Sequence, residues 1–232
     1  MNWQLRRDRF VLEGLKGAQV FTTTRALGLP AGEVSPEGLR NIVDRCGIHP
    51  TVVVGMEQVH GGEVRVAKSR MDAVVPGCDG LVTNQRGVAL VVRSADCLPI
   101  IAFDSDRRML GLAHAGWRGV KAGLPAHLVD PFHYSSGHAQ NLHIAIGPAI
   151  GPCCYEVGVD FEAWFPGHLL KKGGRFFLDL KKAAISQLTE SGVLEENISV
   201  APGCTSCDKE NCFSYRQEGA AAGRMVTVTY VQ

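Results

Sequence analysis

Three short strings carry most of the side chains capable of chemistry: GMEQVHGG with His60, RSADCLPI with Asp96 and Cys97, and GLAHAGWRG with His114 and Arg118. Each follows an apolar run and meets Gly or Pro within two residues, so a side chain can leave a sheet edge while the backbone turns away. Two imidazoles and a thiolate form a borderline-soft ligand set suited to Zn²⁺. Three protein ligands leave a fourth position open, which is the arrangement of a catalytic rather than a structural ion. A metal held there deprotonates the cysteine and lowers the proton affinity of bound water, so a nucleophile or base becomes available at neutral pH. Asp96, beside Cys97, is placed to orient a ligand imidazole or to handle protons. Spacing alone does not separate this reading from three packed or solvated residues, because the trio is scattered from position 60 to position 114.

The remaining cysteines read differently. CTSCDKENC groups Cys204, Cys207 and Cys212, one ligand short of a structural zinc site, with no His close behind. Cys153 and Cys154 in GPCCYEVG would face opposite sides of a strand and so read as packing residues. Cys46 and Cys78 read as small buried hydrophobes. HGGE and PGCTSC each miss by one residue the H-x-E and P-C-x-x-C of the zinc deaminases, which leaves Glu63 as solvated strand decoration.

The elements that must position these groups are short. AQVFTTT, TVVVGMEQV, EVRVA, VALVV, PIIAF, MLGLAH, LHIAIG, ISVA and MVTVTYV are β-branched runs bounded by turn residues, and they read as strands. SPEGLRNIVDRCG reads as a helix capped by Ser35 that buries Leu39, Ile42 and Val43. DLKKAAISQLTESG reads as a second, with Leu180, Ala184, Ile185 and Leu188 on one face between Asp179 and Gly192. KAGLPAHLVDPF is a weaker helix with Pro125 in its first turn, VDFEAWF a short one, and PGHLLKKGGRFFL a mobile loop. The order is no clean βαβ alternation, so the expected class is mixed α+β: central β-sheets flanked by helices, in one domain over residues 1–232.

Composition limits the function. At 232 residues with 45% hydrophobic and 20% charged, the chain can bury about three quarters of its unfolded surface in one core. A net charge of +1 without basic runs excludes a surface built for nucleic acid. No segment has the length of a membrane span, and the first residues do not read as a signal peptide, so the expected location is the cytoplasm with reduced thiols.

Taken in order, QVHG, CDGLVTN, SADCLPI, LAHAGWRG, IGPAIGPCCYEVG, FFLDL, the C-terminal CT and FSYR, and GRM resemble the YfiH family, also called laccase-domain proteins. The resemblance runs from about residue 18 to the C-terminus. It implies sheets flanked by helices and a metal, usually zinc with copper as the alternative, on His60, Cys97 and His114. It also implies phosphorolysis of adenosine, inosine and methylthioadenosine, with deamination of adenosine. The partners would then be a purine nucleoside and phosphate.

Phosphorolysis needs cations around phosphate, and Arg118 is the first candidate, followed by Arg25 and Arg216. FTTTRALGLPAGEVS around Arg25 departs from the family's FTTR-x-GG-V-S. Tyr155 and Glu156 line the pocket by resemblance. Three other readings stand beside this one. A multicopper phenol oxidase is disfavoured because the chain has no H-x-H. A metal-free cysteine hydrolase would use Cys97 as nucleophile and His114 as base on an amide such as one in a peptidoglycan precursor. A binding module would hold a metal or nucleoside without turnover.

Overall fold

The structure is a computed structural model, describing residues 1–30, 35–68, 70–134 and 139–231; positions 31–34 of the FTTTRALGLPAGEVS stretch lie outside them. Its central strands Val52–Met56, Val88–Ser94 and Leu98–Asp104 are apolar on both sides because both sides are covered. Val52, Val54, Leu90 and Val92 point into one core cluster, while their neighbours Val53, Ala89 and Val91 point into another. The two-residue period of the pleat therefore divides a continuous Val run between two layers.

Seven strands form one sheet in the order Asn2–Arg6, Arg9–Glu13, Ala18–Thr23, Met225–Val231, Val88–Ser94, Val52–Met56 and Ala73–Val75. Six form a second in the order Ile198–Val200, His143–Ile146, Leu98–Asp104, Met109–Ala115, Gly80–Thr83 and Val64–Val66, and a small third sheet orders Glu156–Val157, Arg175–Leu178 and Leu169–Lys172. Ile101, Phe103, Leu110 and Leu112 of the six-stranded sheet meet Trp3, Phe10, Leu90 and Met225 of the seven-stranded one between the layers. The outer face of the six-stranded sheet packs Ile100 and Ala102 against Leu128, Phe132, Ala184 and Leu188 of two helices. The outer face of the seven-stranded sheet is covered by Leu39, Ile42 and Val43. The result is a helix–sheet–sheet–helix stack, the mixed α+β class expected.

The helices start where their caps place them. Ser35 accepts the Gly38 N–H at 3.0 Å ahead of Pro36–Arg45, and Asp179 accepts the Lys182 N–H at 3.0 Å ahead of Leu180–Glu190. Each such cap contributes about 1 kcal/mol. KAGLPAHLVDPF forms Leu124–Tyr134 with Pro125 in the first turn, and VDFEAWF forms a single 3₁₀ turn at Val159–Ala163.

The expected mobile loop is instead a β-hairpin, Leu169–Lys172 against Arg175–Leu178. Gly173 and Gly174, at φ 54° and 77°, make its two-residue turn, the conformation that matches strand twist. Asn2–Arg6 and Arg9–Glu13, which the composition of the first residues does not announce, form another hairpin at the sheet edge.

Candidate functional site

Val88–Ser94 lies in the seven-stranded sheet and Leu98–Asp104 in the six-stranded one, so the chain crosses between sheets at Ala95, Asp96 and Cys97. Asp96 is in the left-handed region at φ 94°, a conformation that costs on the order of 1–3 kcal/mol for a residue with a side chain. Three donors hold its carboxylate: the Thr205 hydroxyl at 2.6 Å, the Ser214 hydroxyl at 3.0 Å and the Arg216 backbone N–H at 2.7 Å.

His114 is the penultimate residue of Met109–Ala115, which pairs Ala113 with Gly80. That register sets Asp79 against His114, whose backbone N–H donates to the Asp79 carbonyl at 2.7 Å. Asp79 Oδ1 lies 3.1 Å from His114 Nδ1. A carboxylate only accepts, so Nδ1 carries a hydrogen and Nε2 is the nitrogen left to face Cys97, protonated in the ion pair and free to ligate once that proton is displaced. The same carboxylate, fully buried, accepts the backbone N–H groups of His60 at 3.0 Å and Gly61 at 2.7 Å, fixing the loop on which His60 adopts φ 62°.

The outcome is a compact donor set: one nitrogen from each of His60 and His114 and the Cys97 sulfur lie within 4.8 Å of one another. The two rings are 4.9 Å apart and nearly perpendicular. Gly116 of HAGWRG makes room for this, since a Cβ there would stand 2.9 Å from Cys97 Sγ and 3.3 Å from His60 Cδ2.

Burial alone would push the Cys97 thiol up, but His114 and then His60 outweigh it and hold it down at about 6. Burial likewise works against the His114 imidazolium, and the Cys97 thiolate and Asp79 carboxylate outweigh it, raising the ring to about 9. Burial raises Asp79 too, yet the His114 hydrogen bond and the two loop N–H groups bring it below the usual carboxylate range. The pair is therefore a thiolate beside an imidazolium in the absence of a metal. A cation displaces the imidazolium proton and meets one anionic sulfur and two ring nitrogens, a donor set that fits a borderline-soft metal ion.

These three residues open onto a cavity of about 630 Å³, within the range of small-molecule sites. Trp117, Tyr155 and Tyr215 line it with rings, and Arg93, Arg118, Arg216 and Arg224 with cations. Trp117 stacks on Trp164 at 5.4 Å, and the Arg118 guanidinium lies 4.6 Å over the Trp117 ring. Arg216 lies 5.1 Å over Tyr155 and donates to the carbonyls of Cys154 and Glu156 at 3.3 and 3.0 Å. Burial and then the neighbouring Arg224 lower the Arg93 pKa, so the two cations share one wall. Gln58 fixes Arg93 through both ends of its amide, at 2.7 and 3.0 Å from the Arg93 backbone.

The structure thus brings His60, Cys97, His114, Asp96, Arg118 and Arg216 to one cavity. It does not bring Arg25 there. Arg25 pairs with Glu218 at 3.0 Å, donates to the carbonyls of Lys209 and Cys212, and lies 4.7 Å over Phe213, so it braces the C-terminal loop. Nor does Asp96 orient an imidazole: Asp79 does that, because strand register sets it opposite His114. Glu156 faces away to Arg175 at 3.1 Å, and Glu63 lies 3.6 Å from Arg65 at the surface.

Cys153 and Cys154 are not packing residues. They occupy a turn, and their sulfurs stand with Cys204 and Cys207, while Cys212 is buried apart, 4.0 Å from Asp208. Sequence reasoning missed Asp79, Arg93 and Arg224; the signal for Asp79 lay in CDGLVTN, an acid directly before an apolar strand.

The family described as multi-copper polyphenol oxidoreductase laccase matches residues 34–232. Purine nucleoside phosphorylase YlmD of Geobacillus stearothermophilus is 39% identical over 189 residues, covering 73% of this chain and 69% of the relative. Adenosine deaminase RL5, from an unknown prokaryotic organism, is 29% identical over 201 residues, covering 79% of this chain and 77% of its own. The crystal structure of YlmD from Geobacillus stearothermophilus superposes with a TM-score of 0.88 at 29% identity, covering 99% of this chain and 98% of that one. With its ordered motifs, its fold and the matched span all agreeing, the chain belongs to the YfiH family of laccase-domain proteins.

Proposed function

We propose that this protein is a zinc-dependent purine nucleoside phosphorylase acting on adenosine, inosine and S-methyl-5′-thioadenosine, with adenosine deaminase activity at the same site. One observation carries the reading: a single cavity joins the His60, Cys97 and His114 donors to aromatic walls and four arginines. The names of the relatives, a purine nucleoside phosphorylase and an adenosine deaminase, support it.

Trp117, Tyr155 and Tyr215 offer π-faces to a purine, and stacking tolerates both adenine and hypoxanthine. Arg93, Arg118, Arg216 and Arg224 hold phosphate and stabilise the charge that separates as the base leaves the sugar. Asp96 is a positioning residue: its carboxylate is filled by Thr205, Ser214 and the Arg216 backbone, so it sets the arginine rather than the metal ligands. When bound, zinc would supply Lewis acidity and an activated water. His60, Cys97 and His114 would hold it, with Asp79 keeping the His114 lone pair turned inward.

The test is direct: zinc-loaded protein with phosphate is offered each of the three nucleosides, and free base, pentose 1-phosphate and inosine are followed. If all three nucleosides stay unchanged, the proposal fails.

The Cys97–His114 ion pair would equally serve a cysteine hydrolase, and metal content separates the two, since a zinc-bound thiolate is no free nucleophile. We place the chain in the cytoplasm as one domain, a reading consistent with eight cysteines of which none is in a disulfide. Among the described residues no helix is long and apolar enough to cross a membrane.

A further inference from the structure

Behind the Tyr155 wall of the cavity, two turns bring four thiols together. In the first, the N–H groups of Cys154 and Tyr155 both return to the Gly151 carbonyl at 3.1 Å, so Cys153 and Cys154 sit on a curl rather than an extended strand. In the second, the N–H groups of Cys207 and Asp208 return to the Cys204 carbonyl at 3.0 Å. On these curls the adjacent cysteines no longer diverge. Cys153 Sγ is 3.6 Å and Cys154 Sγ 3.3 Å from Cys207 Sγ, and all four sulfurs lie within 4.8 Å of one another.

We propose that Cys153, Cys154, Cys204 and Cys207 form a tetrathiolate site for a structural zinc ion, separate from the His60, Cys97 and His114 group. The distances fit. Zn–S bonds near 2.3 Å in a tetrahedron place the sulfurs about 3.8 Å apart; the Cys207 sulfur stands 3.6 and 3.3 Å from those of Cys153 and Cys154, slightly inside that edge, and all four lie within 4.8 Å. A disulfide needs about 2.05 Å and would join only two of the four. Cys204 is buried and accepts the Gly151 N–H at 3.1 Å, and the Ser206 and Cys207 N–H groups also point at its sulfur. Such donors stabilise a thiolate, and a C-x₂-C turn supplies them from its own backbone.

Four thiolates and Zn²⁺ leave two net negative charges. The Lys181 ammonium, held on the carbonyls of Ala201 and Gly203, stands near Cys204 and Cys153 and offsets them. Cys153 and Cys207 are exposed, which gives an ion a path in.

The ion would join two segments that the cavity depends on. The first carries Tyr155 and the carbonyls that Arg216 grips, and the second carries Thr205, which holds Asp96. All four positions are protein ligands, so the site has no opening for substrate and its role is to clasp the wall.

The test uses the full chain under reducing conditions with zinc alone. Cys97→Ala/His114→Ala removes two donors of the other site; it is expected to retain one equivalent of zinc. Adding Cys207→Ser, or alternatively Cys153→Ser at an exposed position, is expected to remove that equivalent. Loaded with cobalt(II), the Cys97→Ala/His114→Ala protein should show tetrahedral d–d bands and thiolate-to-cobalt charge transfer.

Should that background fail to fold, the wild type holding two equivalents and Cys207→Ser holding one gives the same reading. A folded background without metal overturns the proposal. So does an equivalent of zinc retained when Cys207→Ser is added to that background, two equivalents retained by Cys207→Ser alone, or an intact mass showing a disulfide among these cysteines. The nucleoside reading stands or falls separately, because the clasp shares no donor with the first group.

Discussion

The His60, Cys97 and His114 group takes its donors from three places where strands end or cross between sheets, and stations a buried carboxylate, Asp79, behind one of them. The cysteine cluster takes its donors from two tight turns, with backbone N–H groups behind the buried sulfur. The first has three donors and faces a cavity of about 630 Å³; the second has four, and none of them lines that cavity. Ligand count, backing and exposure together separate a site built to expose an ion to substrate from one built to enclose it. Softness of the donors does not separate them, because both contain thiolate.

Substitutions should divide along the same line. The largest effect belongs to Cys97→Ala and His114→Ala, each of which should empty the first site and reduce phosphorolysis to the uncatalysed rate while leaving zinc on the cluster. Elemental analysis beside a nucleoside assay checks both, and a variant with full occupancy would remove that residue from the ligand set. Asp79→Asn should come next, weakening zinc binding or activity by about 10–100-fold, as a chelator competition would show.

Cys207→Ser should instead act on stability. With free zinc a thousandfold above the dissociation constant, the lost linkage is about 4 kcal/mol, or roughly 10 °C in Tm for a domain of this size. Activity measured below that transition should fall less than for Asp79→Asn. Should the two variants show the reverse pattern, the assignment of roles would be inverted.

Gly116→Ala is smaller still: the added methyl meets Cys97 Sγ at 2.9 Å, so metal affinity should drop severalfold while the melting temperature barely moves.

The subtlest effect is in pH. Cys97 is depressed from 9.0 to about 6, so its stabilisation is complete above the ordinary thiol value and is lost as pH falls through about 6. His114 is raised from 6.5 to about 9, so its contribution is complete below the ordinary imidazole value and is lost as pH rises through about 9. In chelated protein, alkylation of Cys97 followed by peptide mass spectrometry should therefore turn on near pH 6. A midpoint near 9 would dissolve the ion pair.

Residue type and short-range period made much of this protein readable from its chain. Runs such as VALVV and PIIAF are strands because β-branched residues suit a pleat, and their unbroken apolarity announces burial on both faces. Ser35 and Asp179 mark helix starts because a side-chain oxygen meets a free N–H three residues on. The KKGG turn was equally local and could have been read as a hairpin from its paired glycines. His60, Cys97 and His114 were legible as a possible set because few other residue types do their chemistry.

Tertiary structure decided the rest, for reasons that no window of sequence contains. Asp79 backs His114 because of one strand register, Arg93 and Arg224 share a wall because Val88–Ser94 pairs with Met225–Val231, and Arg25 leaves the cavity because Glu218 and Phe213 capture it. Cys153 and Cys154 became a candidate ligand pair only when their backbone curled and a turn some fifty positions later packed against it. A chain specifies its turns and strands through neighbours a few residues apart, but donors converge only where packed layers bring distant turns together.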